Sequence, residues 1–269
     1  MDTREHLARW GLVAESEPAR AATGAVQMVR RGAERLVLKV ITHKDEATQP
    51  DVLAHYDGQG AVRLVDQAPP AMLMERAWPG SPLSSLVREG RDGEATGIIA
   101  DLIATLHRAP APAGFRTVED WGRGFDRVRA QALGAGADSA LIDLASSLYA
   151  DLSVSQGPRF LLHGDLHHDN VLKDERRGWL AIDPKGVAGE LAFETSALLR
   201  NPGPDPAVYA DRRIIRRRVD LLVERLGLDR GRILKWCFCR SVLSALWSIE
   251  DGWDASPAWR MAQVSRTLL

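Results

Sequence analysis

The sequence predicts an α+β fold in which a β-rich N-terminal part precedes a larger, mostly helical part. Short apolar runs at 26–29, 36–41, 60–66 and 71–76 have the length and alternation of strands. After the sharp break at Trp78–Pro82, apolar residues recur at helical spacing. Further short apolar runs flank a polar loop at 163–170 and predict a second set of strands between Phe160 and Asp183.

Glycine and proline breakers divide the helical part of the chain. Helical periodicity is found at 98–106, 121–133, 141–152, 191–199, 214–226 and 233–249. A short amphipathic helix is also predicted around Leu7, Trp10 and Leu12. We place the boundary between the two parts after Ala77, which gives an N-terminal part of residues 1–77 and a C-terminal part of residues 78–269.

Composition excludes several classes of protein. With 269 residues and 45% hydrophobic residues, the chain can bury a sizeable core. The two cysteines, Cys237 and Cys239, are too few for a disulfide framework and are expected to be core thiols. No apolar run approaches the roughly 20 residues that span a bilayer, and the N-terminus has no apolar signal core. We therefore expect a cytoplasmic protein without a membrane partner.

Overall charge does not indicate a polyanionic partner, because 35 Lys and Arg face 36 Asp and Glu. One basic run, with arginines at 212, 213, 216, 217 and 218, allows two interpretations. It is either a nucleic-acid surface or a solvated helix face. Asp211, Asp220 and Glu224 interleave the run and favour the solvated face. We expect no nucleic-acid partner and a monomer or weak dimer.

The polar loop at 163–170 has the sequence HGDLHHDN, and the strand after it ends at Asp183. An Asp with an Asn five positions later, followed by an Asp at the end of a strand, is the arrangement of phosphoryl-transfer enzymes. Asp165 is the predicted general base for a substrate hydroxyl. Asn170 and Asp183 are the predicted Mg²⁺ ligands, because Mg²⁺ selects hard oxygen donors.

Two alternatives to this interpretation concern the same loop. In the first, Asp165 only caps a turn. In the second, the three histidines His163, His167 and His168 bind a transition metal. We favour a role for His163 and His167 in bracing the loop through side-chain hydrogen bonds.

Lys39 lies within the otherwise apolar strand 36–41. A buried ammonium is costly unless it has an anionic partner or a route to solvent. By strand alternation Lys39 shares a face with Val37 and Ile41, where it would contact nucleotide phosphates. The alternative is an edge-strand lysine whose head reaches solvent.

The loop at 163–170 and the segment 179–190 resemble the motifs of the aminoglycoside phosphotransferase family. The likeness is greatest to its streptomycin 6-phosphotransferase and hydroxyurea phosphotransferase branch, and it extends from Thr23 to Trp247. It implies a two-lobed protein-kinase-like fold, ATP as phosphoryl donor and Mg²⁺ as cofactor. It also implies a small-molecule acceptor. Streptomycin or a related cationic aminoglycoside, which phosphorylation would inactivate as an antibiotic, is favoured over hydroxyurea, an amino sugar or another small metabolite.

The resemblance also implies positions for the nucleotide. The turn at Thr23 and Gly24 would cover the phosphates with backbone N–H groups, and an ordinary hairpin turn is the alternative. Strand 71–76 would be the hinge strand, at which the backbones of Glu75 and Ala77 hydrogen-bond adenine.

Lys39 would pair with an acidic residue, for which Glu46 is the candidate and Asp45 the alternative. Pro50 breaks any helix that covers both sides of it. Either Glu46 lies in a short turn before a helix that starts near Pro50, or the pairing differs from that of the family.

A polycationic acceptor favours a cleft lined by carboxylates. Glu190 and Glu194 follow soon after Asp183, and Glu250 and Asp251 lie at the end of the last long helix. These four are the predicted acceptor ligands, with ordinary acidic loops and helix ends as the structural alternative.

Two features favour a constitutively active small-molecule kinase over a regulated protein kinase. Gly164 stands where regulated protein kinases carry an Arg that pairs with a phosphate, and no long Ser-, Thr- or Tyr-rich segment follows Asp183. Lys185 would approach either the transferred phosphate or Glu190. A nucleotide-binding module without catalysis is disfavoured because Lys39, Asp165, Asn170 and Asp183 are all present.

Overall fold

The computed structural model describes residues 3–21, 24–202 and 209–269. Its strands are β1 Val13–Ala14, β2 Ala19–Ala21, β3 Gly24–Arg31, β4 Glu34–Ile41, β5 Leu64–Ala68, β6 Ala71–Glu75, β7 Pro79–Pro82, β8 Phe160–Leu162, β9 Val171–Asp174, β10 Gly178–Ala181 and β11 Val187–Gly189. Its helices are α1 Arg4–Arg9, α2 Gln49–Tyr56, α3 Ser84–Arg88, α4 Asp92–Leu106, α5 Val118–Gly122, α6 Gly124–Gly134, α7 Ser139–Val154, α8 Leu191–Leu199, α9 Arg212–Leu226, α10 Arg230–Glu250 and α11 Ser256–Arg266. Short 3-10 turns cover Lys44–Glu46 and His168–Asn170.

The first six strands form one antiparallel sheet in the order β1-β3-β4-β6-β5, with β2 paired to β3. Alternation along β4 separates two cores. Leu36, Leu38 and Val40 pack with Trp10 of α1 on one face. Val37 and Ile41, on the other face, belong to the core that continues into the helical body. Lys39 lies between them in sequence, and its side chain therefore faces the helical body, as alternation predicts.

Two smaller sheets carry the polar loop. β8 ends immediately before it and pairs with β11, while β9 begins immediately after it and pairs with β10. β7 pairs with β9 and not with the N-terminal sheet, which ends at Glu75. This change of sheet supports the boundary after Ala77, which stays a prediction.

Gly24 is a strand residue and not the turn residue predicted from sequence. It pairs with Ile41 across β3 and β4, and a Cβ atom built on it would lie 2.0 Å from the carbonyl oxygen of Val40. Glycine is therefore required for the close approach of the two strands. Thr23, which was predicted to act with Gly24, lies outside the described residues.

An aromatic core joins the helices behind the polar loop. Trp236 in the first half of α10 is fully buried, and its ring centroid lies 5.0 Å from those of both Tyr149 and Phe193. The three rings pack edge to face, an arrangement that favours their π quadrupoles. α7, α8 and α10 are thereby fixed relative to one another, and α8 leads directly from β11. Within the described parts of the chain no helix combines the length and the apolarity that crossing a bilayer requires.

The basic run on α9 is only partly solvated. Arg218 is 0% exposed and its guanidinium binds Asp92 at the start of α4, with Nη2 2.6 Å and Nε 3.0 Å from Oδ1. It also donates to the carbonyl oxygen of Leu198 at 3.0 Å. Arg217 contacts the second Asp92 oxygen at 2.8 Å. The interpretation of the whole run as a solvated face is therefore wrong for Arg218, which joins α9, α4 and the end of α8.

We predict that Asp92→Asn lowers the free energy of unfolding by about 3–5 kcal/mol, because it leaves the buried Arg218 charge uncompensated. Burial raises the pKa of Asp92, but Arg218 and Arg217 outweigh burial and hold it below the ordinary value of 3.8. The stabilisation is thus fully present above that ordinary value and is lost as pH falls through the folded-state pKa. Denaturant unfolding at several pH values should show a constant difference from wild type at neutral pH that shrinks in acid. A difference independent of pH down to pH ~2 would contradict this ion pair.

Candidate active site

Lys39 is the point at which the N-terminal sheet meets the segment that follows β10. Its side chain is 1% exposed, and its ammonium lies 3.1 Å from Oδ1 of Asp183 and 2.9 Å from Oε2 of Glu46. The two carboxylates supply the anionic partners that a buried ammonium requires. Of the two alternatives for Lys39, the structure therefore excludes an edge-strand lysine that reaches solvent.

Glu46 lies in the 3-10 turn Lys44–Glu46, and α2 begins afterwards with Pro50 in its first turn. Proline is tolerated there because the first amides of a helix have no intrahelical acceptor. The pairing of Glu46 with Lys39 is thus achieved from a short turn, which is one of the two arrangements that Pro50 allows. The second Glu46 oxygen, Oε1, forms an ion pair with Lys185.

The predicted metal ligands Asn170 and Asp183 are held side by side. The amide of Ile182 donates to the carbonyl oxygen of Asn170 at 2.9 Å, which connects the two segments next to both side chains. Nδ2 of Asn170 donates to the carbonyl oxygen of Asp165 at 2.9 Å. The Asn170 side-chain oxygen is thus directed away from that backbone contact. Asp183 has φ +57, a left-handed conformation that Asp adopts more readily than most residues and that is common at functional sites.

Two histidines brace the loop, as predicted. His163 is fully buried, with Nε2 2.8 Å from the carbonyl oxygen of Ile182, and its Nδ1 accepts from the amide of Asp165 at 3.3 Å. Burial lowers the pKa of His163, so it is neutral with the proton on Nε2. Nδ1 of His167 accepts from the amide of Asp169 at 3.3 Å. Both rings hold the loop backbone.

Asp165 projects from this loop with about a third of its side chain exposed (32%). Burial acts to raise the pKa of its carboxyl, but the neighbouring His167, Lys185 and Arg200 outweigh burial and hold that pKa below its ordinary value. Nε2 of His167 lies 3.9 Å from Oδ2 of Asp165. The carboxylate is therefore ionised at neutral pH and able to orient a hydroxyl and accept its proton.

The backbone of Gly164 is held from both sides. Its amide donates to the two carboxylate oxygens of Glu194 at 3.1 and 3.2 Å, and its carbonyl accepts from Nη2 of Arg240 at 3.4 Å. Its φ of +79 is left-handed, and a Cβ atom built on it would lie 2.9 Å from the Trp121 ring. Gly164 thus fixes the direction in which the next residue, Asp165, leaves the strand.

Arg240 reaches Gly164 from the middle of α10 and lies among three aromatic rings. Its guanidinium carbon is 4.6 Å from the ring centroid of Trp121, 4.8 Å from that of Phe193 and 5.2 Å from that of Trp247. Burial and, to a smaller extent, the nearby charge of Arg200 lower the pKa of Arg240 to about 9. Cation–π contacts offset part of the cost of burying this charge. Arg240 is not among the residues predicted from the sequence, although it is the one charged residue between Lys235 and Glu250.

Glu194 was predicted to bind the acceptor, and the structure places it behind the loop instead. It is 1% exposed, accepts both bonds from Gly164, and has one oxygen 3.4 Å from Nε2 of His107. Burial raises the pKa of Glu194, but His107, His163 and the Gly164 amide together hold it below its ordinary value. The carboxylate is used inside the protein, in place of the expected acceptor contact.

Glu190 is likewise directed inwards, at 7% exposure. Its carboxylate accepts from the guanidinium of Arg232 and the indole N–H of Trp236 on α10, and its amide donates to Gln156 at 3.1 Å. These partners hold the start of α8 against α10 and α7. The expected acceptor contact of Glu190 is therefore also replaced by a structural one, and Lys185 contacts Glu46 and not Glu190.

The other two predicted acceptor ligands lie at the surface. Glu250, the last residue of α10, forms a two-point ion pair with Arg127 of α6, both contacts being 2.7 Å. Asp251 is exposed at the C-cap of the same helix. Asp251 is thus the more accessible of the two carboxylates.

The predicted hinge residues lie at the end of β6. The Glu75 amide donates to the carbonyl oxygen of Arg63 at 2.9 Å, and its side chain forms an ion pair with Arg177 in the turn between β9 and β10. The Glu75 amide and carboxylate are therefore both used within the protein. Ala77 is buried two residues further on.

The oxygen donors fit Mg²⁺ better than a transition metal. No group of three or more His, Cys, Asp or Glu side chains that could hold a metal occurs in the described ranges, which argues against the three-histidine alternative. Mg²⁺ in kinases needs only one or two protein carboxylates or amides, because phosphate and water oxygens complete its shell. Asn170 and Asp183 provide that set.

A buried lysine from a small antiparallel sheet, a paired glutamate and an Asp–Asn–Asp set on a helical body define a protein-kinase-like phosphotransferase. Solved structures share the fold over nearly the whole chain. A thermostable mutant of aminoglycoside phosphotransferase APH(4)-Ia, in a ternary complex with ADP and hygromycin B, superposes with a TM-score of 0.68 at 17% identity, covering 98% of both chains. Choline kinase LicA from Streptococcus pneumoniae gives a TM-score of 0.68 at 14% identity, covering 98% of this chain and 97% of that one. The predicted two-lobed kinase-like fold is confirmed.

Sequence comparison identifies the particular family. Residues 9–252 match the model described as aminoglycoside/hydroxyurea antibiotic resistance kinase, and the chain belongs to that family. A streptomycin 6-kinase of Streptomyces glaucescens is 38% identical, covering 92% of this chain and 82% of the relative. A streptomycin 3''-kinase of Klebsiella pneumoniae is 34% identical, covering 91% and 92%. A hydroxyurea phosphotransferase of Kitasatospora aureofaciens is 36% identical, covering 98% and 77%. The predicted small-molecule kinase is confirmed.

We predict that Gly164→Ala lowers the free energy of unfolding by about 1–3 kcal/mol, because Ala is strained at this φ and its methyl group meets the Trp121 ring. It should also lower kcat by displacing Asp165. Gly157→Ala is the matched control, since its Cβ meets open space, and its effect on stability should stay within about 1 kcal/mol. Denaturant unfolding measures both. Equal stabilities of the two variants would contradict the packing around Gly164.

Proposed function

We propose that this kinase transfers the γ-phosphoryl group of ATP, with Mg²⁺, to a hydroxyl group of streptomycin. The observation that carries the proposal is the 3.1 Å contact between Lys39 and Asp183. It brings the phosphate-binding lysine of the N-terminal sheet to the metal ligand of the helical body. A lysine beside a metal ligand suits a metal-bound triphosphate, because kinases act mainly by positioning and by neutralising charge.

Each residue of the site has one task in this proposal. Lys39 binds the α- and β-phosphates. Asn170 and Asp183 hold Mg²⁺, which neutralises charge on the transferred group when it is bound. Asp165 orients the acceptor hydroxyl and takes its proton. Glu46 holds the Lys39 ammonium beside Asp183.

The adenine base is placed at the end of β6. The Glu75 carbonyl would accept from the adenine amino group and the Ala77 amide would donate to the ring, since the Glu75 amide already donates to Arg63. By the resemblance to kinases, Thr23 and Gly24 would lie over the phosphates. The position of Gly24 at the start of β3 and of Glu75 at the end of β6 supports this proposal.

Streptomycin is supported as the acceptor by the two streptomycin kinases at 38% and 34% identity. Its guanidinium groups suit carboxylates, which bind them through two parallel hydrogen bonds. Asp251 is the exposed carboxylate that we assign to this contact, with Glu250 beside it. Glu190 and Glu194 are assigned to the scaffold.

Hydroxyurea is a second candidate acceptor, supported by the hydroxyurea phosphotransferase that is 36% identical. It is small and uncharged, so its phosphorylation would not depend on Asp251. The effect of Asp251→Asn on KM therefore separates the two acceptors.

We further propose that the protein acts as a monomer or weak dimer without a nucleic-acid partner. The burial of Arg218 removes one cation from the basic run on α9, and Arg217 is paired with Asp92. The remaining charges are interleaved with carboxylates, which disfavours a polyanion-binding surface.

We predict that purified protein with ATP and Mg²⁺ converts streptomycin to a monophosphate, detected by mass spectrometry, and that NMR of the product gives the modified hydroxyl. Asp165→Asn should lower kcat at least about 100-fold while ATP binding is kept, because only proton acceptance and hydroxyl orientation are lost. Asp169→Asn is the control, since it removes an exposed carboxylate from the same loop. Failure to phosphorylate streptomycin, with turnover of hydroxyurea, would replace the acceptor. Full activity of Asp165→Asn would overturn the assigned base.

A further inference from the structure

Lys185 is a second lysine at the active site, on the segment that follows Asp183. Its amide donates to the carbonyl oxygen of His163 at 2.7 Å, and its carbonyl accepts from the Thr48 hydroxyl at 3.1 Å. A Cβ atom built on Gly164 would lie 3.5 Å from the Cβ of Lys185. The backbone of Lys185 is therefore fixed against the loop that carries Asp165.

The side chain of Lys185 shares one carboxylate with Lys39. Glu46 binds Lys39 through Oε2 and Lys185 through Oε1. The two lysines differ in exposure, because the side chain of Lys39 is 1% exposed and that of Lys185 is 27% exposed. Lys39 is enclosed by its carboxylates. Lys185 has an open side towards solvent and can exchange Glu46 for another anion without being buried alone.

Charge within this group is balanced before a nucleotide binds, with Lys39 and Lys185 against Glu46 and Asp183. A bound triphosphate adds several negative charges, and Lys39 is committed to the two phosphates nearer the adenosine in the proposed function. The transferred group then needs a further cation close to Asp165. Lys185 is fixed at that place, and its proximity also lowers the pKa of Asp165.

We propose that Lys185 is a catalytic residue that leaves Glu46 to contact the γ-phosphoryl oxygens during transfer, and this inference rests on the proposed function. In the step, the acceptor hydroxyl oxygen forms a bond to the γ-phosphorus while its proton passes to Asp165. The bond from the γ-phosphorus to the bridging oxygen breaks, and its electron pair leaves with ADP. Lys185 only donates hydrogen bonds in this step and transfers no proton. Glu46 is its partner before the nucleotide binds.

Nucleotide binding tests the contact without any acceptor. Isothermal titration calorimetry in Mg²⁺ should show that Lys185→Met weakens AMP-PNP about 10-fold, because a charged hydrogen bond to the third phosphate is lost. ADP, which lacks that phosphate, should change by less than about twofold. With streptomycin as acceptor, kcat should fall about 100-fold, as when one donor to a developing anion is removed.

The matched control is Lys44→Met, which removes an exposed lysine from the turn that carries Glu46 and should change neither affinity. Lys185→Arg keeps the charge and should recover most of the AMP-PNP affinity. Lys185→Gln replaces Lys185→Met if thermal unfolding shows that the latter does not fold. Equal weakening of ADP and AMP-PNP, or no weakening of either, would overturn the role of Lys185. A wild-type enzyme inactive on streptomycin would contradict the proposed acceptor, whereas the nucleotide comparison would still decide the role of Lys185.

Discussion

The ammonium of Lys39 is almost completely removed from solvent and depends on the carboxylates of Glu46 and Asp183. A buried charge that loses its partners costs several kcal/mol, so the sheet keeps this lysine with the help of Glu46 and of Asp183, which the helical body presents to it. The catalytic geometry and the connection between the two parts of the chain thus rest on the same contact. Glu46 adds a further contact between the two parts, because its second oxygen binds Lys185 in the segment after Asp183.

A second set of buried charges supports the site from behind. Glu194 accepts from the Gly164 amide, and Arg240 donates to the Gly164 carbonyl. Neither side chain is therefore available to an acceptor substrate. Such charges are costly unless each has a partner, and here the partners are a backbone amide, a backbone carbonyl, His107 and aromatic ring faces. In return, the loop backbone is fixed at both the amide and the carbonyl of Gly164. Asp165 therefore leaves the strand in one direction.

Local pattern was enough to predict the strands around Lys39, the helices after Pro82 and the placement of Asp165, Asn170 and Asp183, because strand alternation and loop spacing are short-range properties. Burial of charge was not predictable in this way. Glu194 meets Gly164 across 30 residues and Arg218 meets Asp92 across 126, so their sequence neighbours carry no sign of the partner. Glu190 and Glu194 were therefore predicted to bind the acceptor, whereas both contact other parts of the protein interior. Gly24 was predicted to lie in a turn, because the local sequence does not distinguish a turn glycine from one that close strand pairing requires.

The most direct measurement is a crystal structure of the enzyme with Mg²⁺ and AMP-PNP. The triphosphate should contact Lys39, and the metal should be bound by oxygens of Asn170 and Asp183 at the 2.0–2.1 Å typical of Mg²⁺. Nucleotide density away from Lys39, with no metal on Asn170 or Asp183, would contradict the assignment of these residues as the site of phosphoryl transfer.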